Sequence, residues 1–209
     1  MTQPTNQENS LLIRGSKFIS NFFNPITSLL IYFLYHSYHK NSWSKALEEF
    51  LPILLILILP IVLWIVWNVR KGHYSNYDVS NRKQRNSLYV FIALVMILYL
   101  IVCYSLFNTV EYRILFLFLL LILMQISNYF IKSSMHTALN VYTAALFFTV
   151  EAWAGLLWLG IAALVGITRI ILKRHTLKEV LMGGLLAFLV SLAFLYFHLQ
   201  NHAKLLYEH

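Results

Sequence analysis

Polar residues interrupt an almost continuous hydrophobic pattern at only a few places, and those places organise the chain. Apolar runs extend over roughly 47–68, 87–107, 112–131, 137–152, 154–172 and 179–199. Each reaches or approaches the ~20 residues that a helix needs to cross a bilayer. Apolar residues follow one another in these runs without strict alternation. That predicts helices, whose backbone groups bond within the segment, rather than the strands of an outer-membrane barrel. A shorter run from Ile26 to Tyr38 either borrows from its flanks or dips partway. Before it, Leu11, Leu12, Phe18, Ile19, Phe22 and Phe23 share one helical face, with Arg14, Ser16, Lys17, Ser20 and Asn21 elsewhere. This pattern predicts a helix lying in the interface plane and ending near Pro25.

The expected fold is therefore all-α: a polytopic transmembrane bundle of six to seven helices with an N-terminal interfacial helix. No linker divides the chain, so residues 1–209 read as one domain, with a polar tail and interfacial helix over 1–25. Pro60 is expected to kink its helix. Gly155, Gly160, Gly166, Gly183 and Gly184 are expected to let the last helices approach closely.

Composition excludes a soluble domain. The chain is 59% hydrophobic and 11% charged, with a mean hydropathy of +0.67, whereas soluble domains average about 25% charged. The net charge of +8 points to anionic headgroups and phosphate, since no soluble region is large enough to dock a nucleic-acid duplex. Cys103 is the only cysteine and stands in an apolar run, which predicts a buried, inert thiol. Residues 1–10 are polar and no signal-peptide pattern follows them, so the first membrane segments are expected to direct insertion into a bacterial inner membrane.

Three polar islands lie between the runs: Asp78 to Asn86, Lys132 to His136, and Thr168-Arg169 followed by His175 and Glu179. Two runs separate each island from the next, so parity brings all three out on one side. If the Ile26–Tyr38 run also spans, twelve of the sixteen basic residues lie on that side, and the positive-inside rule makes it cytoplasmic.

Each island has a chemical reading and a plainer one. His175 and Glu179, four apart on a helix, place a carboxylate against one imidazole nitrogen and leave the other as acceptor or nucleophile. The plainer reading is a surface pair in a first helical turn. Arg169, at a span's end, grips phosphate oxygens or snorkels to the interface. His136 follows Lys132 and Ser134 at a helix start, where an anion is favoured and a histidine can donate a proton; an ordinary loop with capping serines is the alternative. Arg82, Lys83 and Arg85 bind phosphate or anchor on acidic lipid.

Order and spacing say more than any one residue. Arg169-x5-His175-x3-Glu179, preceded by Ser134-x-His136 and by the basic cluster ending at Arg85, resembles the type 2 phosphatidic acid phosphatase superfamily over residues 78–200. Six departures stand out. Asp78 takes the place of the first-motif lysine, Asn86 that of a proline, Ser133 and Met135 those of proline and glycine, Thr168 that of serine, and Glu179 that of aspartate. Asp78 puts a negative charge where a cation is expected; pairing with Arg82 is one way to neutralise it.

The resemblance implies a metal-independent, cofactor-free lipid phosphatase acting on a lipid phosphate monoester or polyprenyl diphosphate. His175 becomes the nucleophile, oriented by Glu179. His136 becomes the general acid and then base. Arg85, Lys132, Ser134 and Arg169 hold the phosphate. The alternative is a catalytically inactive lipid-phosphate-binding scaffold or transport-related protein. A separate group, His36, His39, His198 and His202, falls on the opposite side and reads as interfacial histidines, or as an accessory metal or haem site.

Overall fold

The computed structural model describes residues 6–40, 47, 50–79 and 81–207, and all the regular structure among them is helical. Eight helices follow one another: α1 (Asn6–Phe22), α2 (Pro25–Lys40), α3 (Phe50–Arg70), α4 (Arg82–Phe107), α5 (Tyr112–Phe130), α6 (Met135–Phe148), α7 (Ala152–Ile171) and α8 (Leu177–Tyr207). Helices α3, α4, α5, α7 and the Leu177–Asn201 part of α8 are long and apolar enough to cross a membrane. Their outward faces carry exposed Leu94, Ile101, Leu106, Leu156, Leu181 and Leu185, a surface suited to lipid rather than water. This is a multi-pass, all-α helical bundle.

One element differs from the expected pattern, and a second carries a feature the pattern does not foretell. The 137–152 run forms only the 14-residue α6, which Thr149 closes by donating its hydroxyl to the Leu146 carbonyl. Residues Thr137 to Phe147 are buried, apart from the half-buried Val141, because α2, α7 and α8 surround the helix. Its continuous hydrophobicity reflects a protein interior, not lipid. In α3, Pro60 does not break the helix. Residues Ile53–Ile58 widen into a π-helical stretch immediately before it, which accommodates the proline's missing N–H and its ring.

Helices α1 and α2 meet at a 53° bend. Asn24 makes the bend stable: its Oδ1 accepts from the Ile26 and Thr27 amides at 3.0 and 3.1 Å, and Pro25 opens α2. That is an N-cap followed by proline at the first helical position. The Phe23 carbonyl released by the bend accepts from Asn140 Nδ2 of α6 at 2.9 Å, and Asn140 Oδ1 accepts from Ser28 and Trp158. A satisfied buried network thus pins α1, α2 and α7 to the central helix. Leu11, Leu12, Phe18 and Phe22 face outward, while Ser16 and Ser20 are buried, with α1 packed on α7.

The start of α6 is fixed against α8. The Ser134 amide donates to the Glu179 carbonyl at 3.0 Å. A Cβ on Gly183 would stand 2.6 Å from the Ser134 carbonyl oxygen, so only glycine fits there. Gly155 faces the Phe148 ring equally closely, whereas Gly160 meets nothing within 4 Å. Gly183→Ala is expected to cost about 1–3 kcal/mol, the usual range for overpacking, and to loosen the α6 start. Thermal unfolding in detergent checks this; an unchanged midpoint would contradict the close approach.

Candidate functional site

The three islands converge at one end of the bundle. Asp78, Arg85, His136, Arg169 and His175 line one small pocket of about 30 Å³, with Val79, Leu88 and Met135. Each side chain arrives from a different element, and local rules place it there.

Arg85 enters from the first turn of α4, which Asn81 caps by accepting from the Lys83 amide at 2.9 Å. Its guanidinium is buried, donates to Tyr89 Oη at 2.7 Å and the Ser133 carbonyl at 2.9 Å, and lies over the Tyr89 ring. His136 stands in the first turn of α6, capped by Ser134, whose Oγ accepts from the Thr137 amide and hydroxyl. Arg169 comes from the last turn of α7.

Past α7 the chain doubles back. Lys173 adopts a left-handed conformation, φ 53°, and the Arg174 and His175 amides both donate to the Arg169 carbonyl. This turn sets His175 beneath Arg169. A non-glycine residue there is strained, so Lys173→Gly is expected to raise stability by roughly 0.5–1 kcal/mol. A lowered melting temperature would show that the lysine side chain itself holds the turn.

His175 is then oriented by the start of α8. Its Nδ1 donates to Glu179 Oε2 at 2.9 Å. The same carboxylate accepts from the Thr176 amide at 3.1 Å, while the Glu179 amide donates to Thr176 Oγ1 at 3.3 Å. Thr176 and Glu179 thus form a capping box, and Glu179 serves the helix and the histidine together. Burial, with help from the Arg169, Lys132 and Arg85 charges, holds the imidazole well below the ordinary histidine range, against the opposing pull of Glu179. The ring is neutral at pH 7, with Nε2 unprotonated.

Asp78 is the unexpected member. It pairs with Arg169 Nη2 rather than with Arg82, and its Oδ1 stands 3.4 Å from His136 Nε2. Arg82 instead donates to the Asn128 carbonyl. Burial opposes ionisation of Asp78, but His136 and Arg169 outweigh it and hold the carboxyl below its usual range. The carboxylate thus occupies the arginine that the phosphate reading needs. The adjacent Val79, buried and with φ 43°, fixes the loop; a β-branched residue in that region is a strained outlier of the sort found at functional sites.

Two expected phosphate ligands sit differently. Lys132 lines neither pocket; its ammonium donates to the Arg174 carbonyl at 3.4 Å. Ser134 is fully buried as the α6 cap and also stays behind the wall. Ser20 was not anticipated: its Oγ accepts from Arg169 Nη1 at 3.0 Å, across 149 residues of sequence. Arg169 Nε and Ser133 Oγ are buried without a hydrogen-bond partner among the described residues.

A second, larger cavity of about 820 Å³ adjoins the pocket. Leu29, Phe33, Leu57, Ile61, Ile92, Met96, Leu117 and Leu139 line it. Asp78, Val79, Leu88, Met135, His136 and Arg169 belong to both, forming a common wall, and exposed Lys17, Lys173 and Arg174 stand at the larger cavity's edge. Apolar walls closed at one end by converging polar groups are the usual build of a small-molecule site.

His36, His39 and His198 lie at the opposite end of the bundle, toward the start of α7 and the end of α8. There His39 pairs with Glu151 and stacks on Tyr35, His36 packs on Tyr32, and His198 packs on Phe194. The His202 side chain lies outside the described residues, and among those described no group of three metal-ligating side chains comes together. No protein-family pattern, curated protein or solved structure matches this chain.

Proposed function

We propose that the protein is a membrane phosphohydrolase that cleaves a lipid phosphate monoester or polyprenyl diphosphate through a phosphohistidine. One observation carries the reading. His175, held through Nδ1 by Glu179, shares a pocket with Arg85, Arg169 and His136, and that pocket abuts an apolar cavity large enough for a lipid tail.

In this mechanism His175 Nε2 attacks phosphorus, and the bond from phosphorus to the ester oxygen breaks. His136 gives that oxygen its proton. It then takes a proton from water, which attacks phosphorus; the P–N bond breaks and inorganic phosphate leaves. Arg85 and Arg169 neutralise the phosphoryl oxygens, which is most of what phosphoryl transfer asks of a protein. For Arg169 to turn its Nη2 proton to the phosphoryl group, Asp78 must yield its place. The bacterial inner membrane, with the site toward the cytoplasm, is the location this reading implies from the charge distribution.

A second reading is a lipid-phosphate-binding protein without turnover, and the Asp78–Arg169 pair favours it. Phosphate release in detergent, with a chelator present, separates the two across phosphatidic acid, phosphatidylglycerol phosphate, sphingoid phosphate and undecaprenyl diphosphate. Release supports the hydrolase. Binding of one of these lipids without release supports the second reading.

A further inference from the structure

Asp78 is the one carboxylate among the described residues that line the small pocket, and it faces two guanidiniums there, Arg85 and Arg169. The two guanidiniums less the one carboxylate leave a single net positive charge, besides the proton that His136 passes on, for a phosphate group that carries up to two negative ones. Arg169 is already engaged: Nη1 donates to Ser20 and Nη2 to Asp78, which leaves one further N–H on each Nη and the buried, unpartnered Nε. A phosphate that takes the Nη2 proton held by Asp78 must detach that carboxylate, and one that takes a second Nη proton lies close against it, anion beside anion. The carboxylate has little room to leave, because Val79 beside it is buried and anchors the loop. Its Oδ1 makes no hydrogen bond among the described residues. Detached, it would be a carboxylate only 20% exposed that has lost its counter-ion, which is the costly way to open an ion pair.

We propose that Asp78 selects the headgroup, and that the site takes a lipid phosphate carrying an ammonium group a few bonds from phosphorus. The ammonium replaces Arg169 as the partner of Asp78, and the phosphate takes the released guanidinium, so every charge keeps a partner. Asp78 and Arg169 belong to the wall shared by the apolar cavity and the His175 pocket. A headgroup must lie at that wall when its tail fills one and its phosphorus reaches the other. The inference rests on the phosphohydrolase reading for the position of the phosphate. It goes beyond that reading in making a positive charge on the substrate a requirement.

The test compares two lipids that differ in one charge: sphingosine phosphate and its N-acetylated counterpart, which keeps the phosphate and chain but loses the cation. Binding of each is measured by titration into full-length His175→Ala protein in detergent, and phosphate release is measured with the unsubstituted protein. The free amine is expected to bind about tenfold more tightly or better, the range for a charge-assisted contact. Asp78→Asn is expected to remove most of that preference. Equal affinities, tighter binding of the acetylated lipid, or no binding of either would overturn the proposal, and none of these outcomes depends on a variant at Asp78 folding. A preference in binding with no release of phosphate would retain amine selection and reject the hydrolase. Equal release from both lipids, with equal affinities, would retain the hydrolase and reject amine selection.

Discussion

His175→Ala is expected to lower phosphate release by on the order of 10³-fold or more, the scale seen when a nucleophile is removed from a site that keeps its binding groups. The reason is positional. Glu179 holds Nδ1, so Nε2 is the ring nitrogen left for attack, and burial keeps it unprotonated at neutral pH. None of the other residues lining the pocket replaces it: His136 lies against Asp78, and the two arginines are cations. The substitution should leave the fold intact, because Thr176 and Glu179 retain their reciprocal capping bonds at the start of α8. Lipid binding should persist, since Arg85 and Arg169 stay in place. Steady-state phosphate release and lipid titration together check this. Comparable loss of binding and turnover would show that His175 is a binding residue only.

Arg169→Gln is expected to destabilise the protein by about 3–5 kcal/mol, the usual loss when one partner of a buried ion pair is removed. The Arg169 side chain is 5% exposed, Asp78 is left without its cation, and Ser20 of α1 loses its donor. Asp78→Asn alone should also destabilise, by exposing a buried guanidinium to the same imbalance. The double substitution, Asp78→Asn with Arg169→Gln, should cost much less than the two single losses added together, because no charge is then stranded. Unfolding of all four proteins in detergent measures the coupling. Strict additivity would mean that the pair contributes nothing as a pair.

How far the sequence foretells this arrangement depends on the length scale involved. The order of the islands is legible because each stands between long apolar runs. The parity argument counts the 137–152 run as a span, whereas α6 is not among the helices long and apolar enough to cross; the residues meet in one pocket all the same. The pairing of His175 with Glu179 is legible from four-residue spacing alone. What fails is anything decided across the bundle. Whether Asp78 meets Arg82 or Arg169 depends on the path of the 71–79 loop, and that path turns on a left-handed Val79 that β-branching disfavours. The role of Ser20 is likewise invisible at a separation of 149 residues. Its one trace is that Ser16 and Ser20, four apart, lie off the apolar face of α1. The 137–152 run reads as a span because hydropathy cannot distinguish a helix sheathed in protein from one sheathed in lipid. The π-helical stretch before Pro60 is likewise not legible: the proline marks where the helix is perturbed but not that the turn ahead of it widens.

The central claim is that phosphate passes through His175, and capture of that intermediate tests it most directly. Purified protein in detergent with chelator is incubated with lipid bearing a labelled phosphate, quenched in alkali, and the label mapped to a peptide. The account predicts an acid-labile, alkali-stable phosphoryl group on His175, absent from His175→Ala. Steady release of labelled phosphate with no label ever on His175, or label on His136 instead, would contradict it.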